Sequence, residues 1–199
     1  PRAPTPTTVL ALSLLPIERL IKPLAEVTAA SKTIALYALG AELRPLRALC
    51  GSALISASAA LCEEMAFRGV LQTLATRALR ALGAAPRPTV AAAVAAQAIL
   101  FGVAHSYTNS PVYLITASIV GMVFGAAFAA TGNLAVPIAM HFAVDMVTFL
   151  ACHVQVARAG REAQCKLLAA ESPIATTLRR ALPAAGRVRA CVVCVRGKV

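Results

Sequence analysis

From Pro88 to Val156 the chain carries a single formally charged side chain, Asp145. Soluble domains devote about a quarter of their residues to Asp, Glu, Lys and Arg, because a folded surface must meet water. A stretch this long and this bare has hydrocarbon as its natural solvent. The whole chain agrees, with 59% of its 199 residues hydrophobic, 14% charged and a mean hydropathy of +0.75.

Four apolar segments stand out, at 48–74, 89–106, 112–131 and 134–156. Each is near the roughly 20 residues that a helix needs to cross about 30 Å of hydrocarbon. Lipid admits only helices or closed barrels, and these runs lack the alternation of barrel strands. The expected fold is therefore all-α, a polytopic transmembrane helical bundle with at least four core membrane helices. Pro86-Arg87-Pro88, Asn109-Ser110-Pro111 and Gly132-Asn133 supply the breaks between them. Gly121 and Gly125 form a GxxxG pattern, a hint of close helix packing.

Around this core, residues 1–47 read as a Pro/Thr-rich linker followed by interfacial or partial membrane helices. Their apolar pieces, 7–15 and 33–43, are short, and the second spans only if it continues toward Ala48. Residues 48–156 form the expected core, and 157–199 a basic, flexible tail. The opening at Pro1 rather than Met points to a processed or truncated product. Arg44, Arg47, Arg158, Arg161 and Lys166 fall on one side of a four-span arrangement, and Arg77, Arg80 and Arg87 on the other. The balance leans slightly to the first side as cytoplasmic.

The net charge is +11. The basic residues lie in connectors and tail, aromatics are 5%, and Trp is absent. That pattern suits snorkelling side chains and anionic lipid, and it lacks the stacking platforms of a nucleic-acid binder. Six cysteines form no legible disulfide framework: Cys50, Cys62 and Cys152 read as packing residues in or beside apolar runs. Cys191 and Cys194 make a lone CxxC without a second ligand pair.

Ionisable groups inside a bilayer cost roughly 2.5–3.5 kcal/mol each at a helix centre, so each is a candidate functional residue. Here they are Glu63, Glu64, Arg68, His105, His141 and Asp145. Glu64 and Arg68 are i and i+4 with the acid first, the favourable order for an ion pair on one helix face. Glu63 is turned about 100° from Glu64, so the two carboxylates serve different purposes. Chemistry is assigned to Glu63 and the holding of Arg68 to Glu64, with the exchanged roles as the alternative. His141 and Asp145, and Phe101 and His105, repeat the four-residue spacing on two further helices. Taken alone, an i,i+4 ion pair only neutralises itself, and a buried His is ordinarily bonded to a carbonyl. Three such features on consecutive membrane helices favour one interior site. That site could activate water and stabilise an oxyanion, and it could equally bind a metal. Phe101 and Phe142 read as packing, and His153, near a helix end, as interfacial.

The three constellations, in order, resemble the motifs of the CAAX-protease and bacteriocin-processing family of intramembrane proteases, of the CAAX prenyl protease type. Glu63-Glu64-Met65-Ala66-Phe67-Arg68 is similar to its EExxxR motif, Phe101-Gly102-Val103-Ala104-His105 to FxxxH, and His141-Phe142-Ala143-Val144-Asp145 to HxxxN or HxxxD. The resemblance covers about residues 48–150. It implies a multi-helix membrane bundle in which Glu63 and His105 activate a water that attacks a peptide carbonyl. His141 and Asp145 would position or stabilise the oxyanion, and Arg68 would orient the Glu63/Glu64 pair. The substrate would be a membrane-presented peptide or protein, the lipid bilayer its surroundings, and nucleic acid no partner. No cofactor is required on this reading. Glu63, His105 and His141 are the donors a zinc ion would take if the mechanism were metal-dependent, although no HExxH signature is present. Asp145 stands where Asn is commoner.

Two other functions share these residues. A catalytically silent membrane scaffold or chaperone of the same family would survive Glu63→Gln. An ion-coupled transporter would use the buried acids and imidazoles as a relay, supported by inverted repeats that the sequence does not display.

Overall fold

In the computed structural model, residues 22–108, 110–169 and 176 are described. The expected apolar piece 7–15 lies outside them. The described residues from 22 to 169 form helices: α1 (Lys22–Leu39), α2 (Pro45–Glu64), a π-helical stretch (Met65–Gln72), α3 (Thr73–Ala81), α4 (Pro86–Ala104), a 3-10 turn (Ser106–Thr108), α5 (Pro111–Thr131), α6 (Ala135–Arg158) and α7 (Arg161–Ala169). No strand occurs among the described residues. Four helices are long and apolar enough to cross a membrane: Pro45–Ala81, Pro86–Thr108, Pro111–Thr131 and Ala135–Arg158. The chain is a multi-pass integral membrane protein, with its four spans where the apolar runs put them.

The helix ends follow the local sequence. Proline sits at the first helical positions of α4 and α5, where a missing N–H costs nothing. Ser110 caps α5 by accepting from the Tyr113 N–H, and Asn133 Oδ1 accepts from the Ala135 N–H at 2.9 Å to open α6. Gly132 closes α5 at φ 64°, in the left-handed region that costs glycine little. Gly40, at φ 92°, does the same after α1. The segment 33–43 therefore does not run on toward Ala48: one helix stops at Leu39 and the next starts at Pro45.

The first span is not one uniform α-helix. For eight residues, Met65–Gln72, its turns widen to π geometry before α3 resumes. The Thr73 hydroxyl donates to the Arg68 carbonyl, five residues back, at 3.0 Å, and so satisfies one backbone acceptor in the altered ladder. Four residues of α-helix overshoot a full turn by about 40°, whereas four residues of the wider helix undershoot it. The opposed drifts help keep Glu64, Arg68 and Gln72 buried together.

The described residues fall into two units. One contains Ala53–Ser106 and Ser110–Asp145 and holds all six candidate residues. In it α4 packs along α5. The approach is closest at Gly102, where a Cβ would overlap Ser118 Oγ, so an alanine there has no room. Large apolar side chains such as Leu54, Leu61, Ile99, Ile115, Ile119 and Met122 point outward and present hydrocarbon to lipid. The other unit contains the described parts of 1–52, 107–109 and 146–199. There α7 packs on α1, and Leu36, Tyr37, Val156 and Leu168 form a small core. Cys165 is disulfide-bonded, a pairing that the sequence spacing did not reveal. His153, expected at an interface, is instead enclosed by protein, with 1% of its surface exposed.

Candidate active site

Glu64 and Arg68 are fully buried. A guanidinium in that position needs acceptors on every side it can find them, since an unpaired buried charge is very costly. Arg68 Nη1 donates to Glu64 Oε1 at 2.9 Å and Nη2 to the Gly121 carbonyl at 2.9 Å. Its Cζ lies 4.7 Å from the centroid of the Phe101 ring and 5.6 Å from that of Phe124, within cation–π range. Phe101 therefore does more than fill space.

One helical step on, Gln72 Nε2 donates to the Gly125 carbonyl at 3.0 Å. The two contacts have the same sequence offset, so the π stretch and α5 run parallel and in register. Gly121 and Gly125 supply this surface because they have no Cβ: at Gly125 one would overlap Gln97 Nε2, and at Gly121 one would press on the Phe101 ring at 3.2 Å. The GxxxG pattern thus serves close approach, as expected, and also bares two carbonyls to the side chains of the first span.

His141 enters from α6. Its Nδ1 lies 2.7 Å from Glu64 Oε1, the oxygen that Arg68 also holds, and its Nε2 lies 3.4 Å from Asp145 Oδ2. The His141–Asp145 spacing along α6 does what the sequence predicted, setting acid and imidazole on one face. Glu64, Arg68, His141 and Asp145 form one connected group.

Glu63 stands apart from that group. It faces His105, with 3.9 Å between Glu63 Oε2 and His105 Nε2. Both side chains are partly open, at 33% and 15% exposure, yet Glu63 Oε2 itself is buried and accepts no hydrogen bond. His105 Nδ1 donates to the Phe101 carbonyl at 2.7 Å, which orients the ring and leaves Nε2 toward Glu63. The Phe101 ring tilts against the imidazole at 4.6 Å, and Tyr113 stacks near it at 5.8 Å. All six predicted residues thus lie in one unit, the adjacent acids facing different imidazoles.

The trio suggested for zinc does not come together. His141 turns Nδ1 to Glu64 and Nε2 to Asp145, and among the described residues no three His, Cys, Asp or Glu side chains are placed to hold a metal ion.

Sequence reasoning passed over Gln72 and Gln97, both buried in this unit. The signal was available: each is an amide inside an apolar run, one helical step from a motif residue, but neither carries the charge that singles out the other six.

The family model described as type II CAAX prenyl endopeptidase Rce1-like matches residues 45–147, which contain all three motifs. No curated protein and no solved structure matches the chain.

Proposed function

From the premise that this chain belongs to the Rce1-like family of type II CAAX prenyl endopeptidases, we propose that it hydrolyses a peptide bond near the C-terminus of a prenylated, membrane-presented substrate, using water activated by Glu63 and His105. The observation that carries the reading is the difference between the two acids: Glu64 is consumed by Arg68 and His141, whereas Glu63 keeps a buried oxygen without a hydrogen bond opposite His105 Nε2.

A separation of 3.9 Å is too long for a direct hydrogen bond. A water seated to one side of the Glu63–His105 line can bond to both, the arrangement a general base needs. Because the His105 Nδ1–H is held by the Phe101 carbonyl, Nε2 is the nitrogen that faces the water. Glu63 takes one proton from it while the oxygen adds to the scissile carbonyl carbon. His141 Nε2, steadied by Asp145 on one side and by Glu64 through Nδ1 on the other, is the donor available to the resulting oxyanion. Collapse breaks the C–N bond, and the leaving amine takes the proton from Glu63. Water and peptide yield one carboxylate and one amine. Arg68 neutralises Glu64 and fixes its orientation, and no step requires a metal.

Purified protein in detergent should cleave a fluorogenic prenylated CAAX peptide, with or without a chelator. Glu63→Gln and His105→Ala should fold and fail to cleave. Loss of wild-type activity on chelation would redirect the mechanism to a metal ion. Retained cleavage in well-folded Glu63→Gln would remove Glu63 from the chemistry. A wild type silent toward prenylated peptides would point instead to a scaffold role.

A further inference from the structure

The Gly121 carbonyl is not held by Arg68 alone. Gln97, on α4 and 1% exposed, donates through Nε2 to the same oxygen at 3.0 Å and to the Val94 carbonyl of its own helix at 3.1 Å. Three elements, the π stretch, α4 and α5, therefore converge on one backbone acceptor. A carbonyl can only accept, so the amide nitrogen is the end that must face it.

An amide in the middle of an Ala/Val/Ile-rich membrane helix is a poor choice for filling space. Its desolvation is offset only by bonds made inside the protein, and here both of its hydrogens are used. Gly125 also lacks the Cβ that would overlap this amide. The contacts form a chain from Gln97 to Gly121, from Gly121 to Arg68, from Arg68 to Glu64 Oε1, and from that oxygen to His141 Nδ1. A shift at its first link is transmitted to the imidazole whose Nε2 lies beside Asp145.

We propose that Gln97 is a positioning residue for Arg68, acting through the Gly121 carbonyl that the two side chains share. The inference rests on the reading above, in which the Arg68–Glu64–His141 group supports the chemistry of Glu63 and His105.

The test is a pair of double-mutant cycles on the full chain in detergent. Gln97→Met keeps the length of the side chain and removes its amide. It should lower kcat about tenfold with KM within about twofold, and this effect should largely vanish in an Arg68→Lys background, as it does for residues that act through one another. The second cycle reads thermal unfolding of Gln97→Met, Arg68→Met and the combination, and needs no activity. The losses should be less than additive there as well. Unchanged kcat in Gln97→Met, or equal and additive effects in both backgrounds, would overturn the proposal. If Gln97→Met does not fold, Gln97→Asn, one methylene too short to reach Gly121 in the same way, enters the same cycles. If wild type cleaves no prenylated peptide, the functional reading fails, and the unfolding cycle alone decides whether Gln97 and Arg68 are coupled.

Discussion

Glu63 and Glu64 are neighbours in the chain and opposites in their surroundings. Around Glu64 every contact is short and buried: Arg68 at 2.9 Å and His141 at 2.7 Å, with no exposed surface on acid or guanidinium. Around Glu63 the nearest imidazole nitrogen is 3.9 Å away and both side chains are partly open. The tight side has the character of a support, its charges neutralised and its geometry fixed by four elements. The loose side has room for a reactant. One peptide bond separates them, and the helix turn between the two residues is enough to divide binding of the scaffold from access to the substrate.

The sharpest way to break this comparison is Glu63→Gln, which should cut cleavage by about 10²–10⁴-fold, the usual yield of a positioned general base, with melting temperature little changed. Glu64→Leu should do the reverse of that pattern, destabilising the protein by about 3–5 kcal/mol because Arg68 is left buried without its counter-ion; thermal or denaturant unfolding in detergent reads it. If Glu64→Leu unfolds no more readily than Glu63→Gln, the division into support and reactive side is wrong. Joining Arg68→Met to Glu64→Leu should recover much of the lost stability, since an apolar replacement of a buried pair is often neutral, without restoring full activity. Gly125→Ala tests the carbonyl surface at a smaller scale. Its methyl would overlap Gln97 Nε2, and overpacking of that kind costs about 1–3 kcal/mol, measurable as a lower melting temperature. Lys166→Ala should be the silent control. Lys166 lies 2.9 Å from Glu162 and holds its carboxyl below the usual range, but the carboxyl is fully exposed. Any contribution is present above the ordinary carboxylate pKa and lost on acidification, and solvent screening should leave no measurable change.

The spans and the site were legible for the same physical reason. In hydrocarbon a charge needs a purpose, so Glu63, Glu64, Arg68, His105, His141 and Asp145 could be picked out by polarity, and their four-residue spacings told which faces they share. The family followed from their order, and the match to residues 45–147 bears it out. Less could be read where the signal was not charge. Gln72 and Gln97 are neutral. Gly121 and Gly125 announce small size, but what they offer through that space is a pair of carbonyls. His153 near the end of a span reads as interfacial by position alone, and its burial depends on neighbours remote in sequence. The π stretch gave no sign at all, since Met65–Gln72 has an ordinary helical composition and its widened turns depend on backbone bonding rather than on residue type.

That stretch has a consequence for how the gene can change. The outward side chains of the first span step from Leu54 to Leu61 to Met65, intervals of seven and four that any α-helix would use. The next steps are Val70 and Leu74. The interval of five from Met65 to Val70 would leave the stripe in an α-helix, and it stays on the oily side only because the turn between them is wide. Deleting one residue there, harmless in a loop, would let the helix tighten and rotate its C-terminal half by about 100°. Within these eight positions a codon is a unit of angle, and the reading frame of the helix matters as much as the identity of its residues.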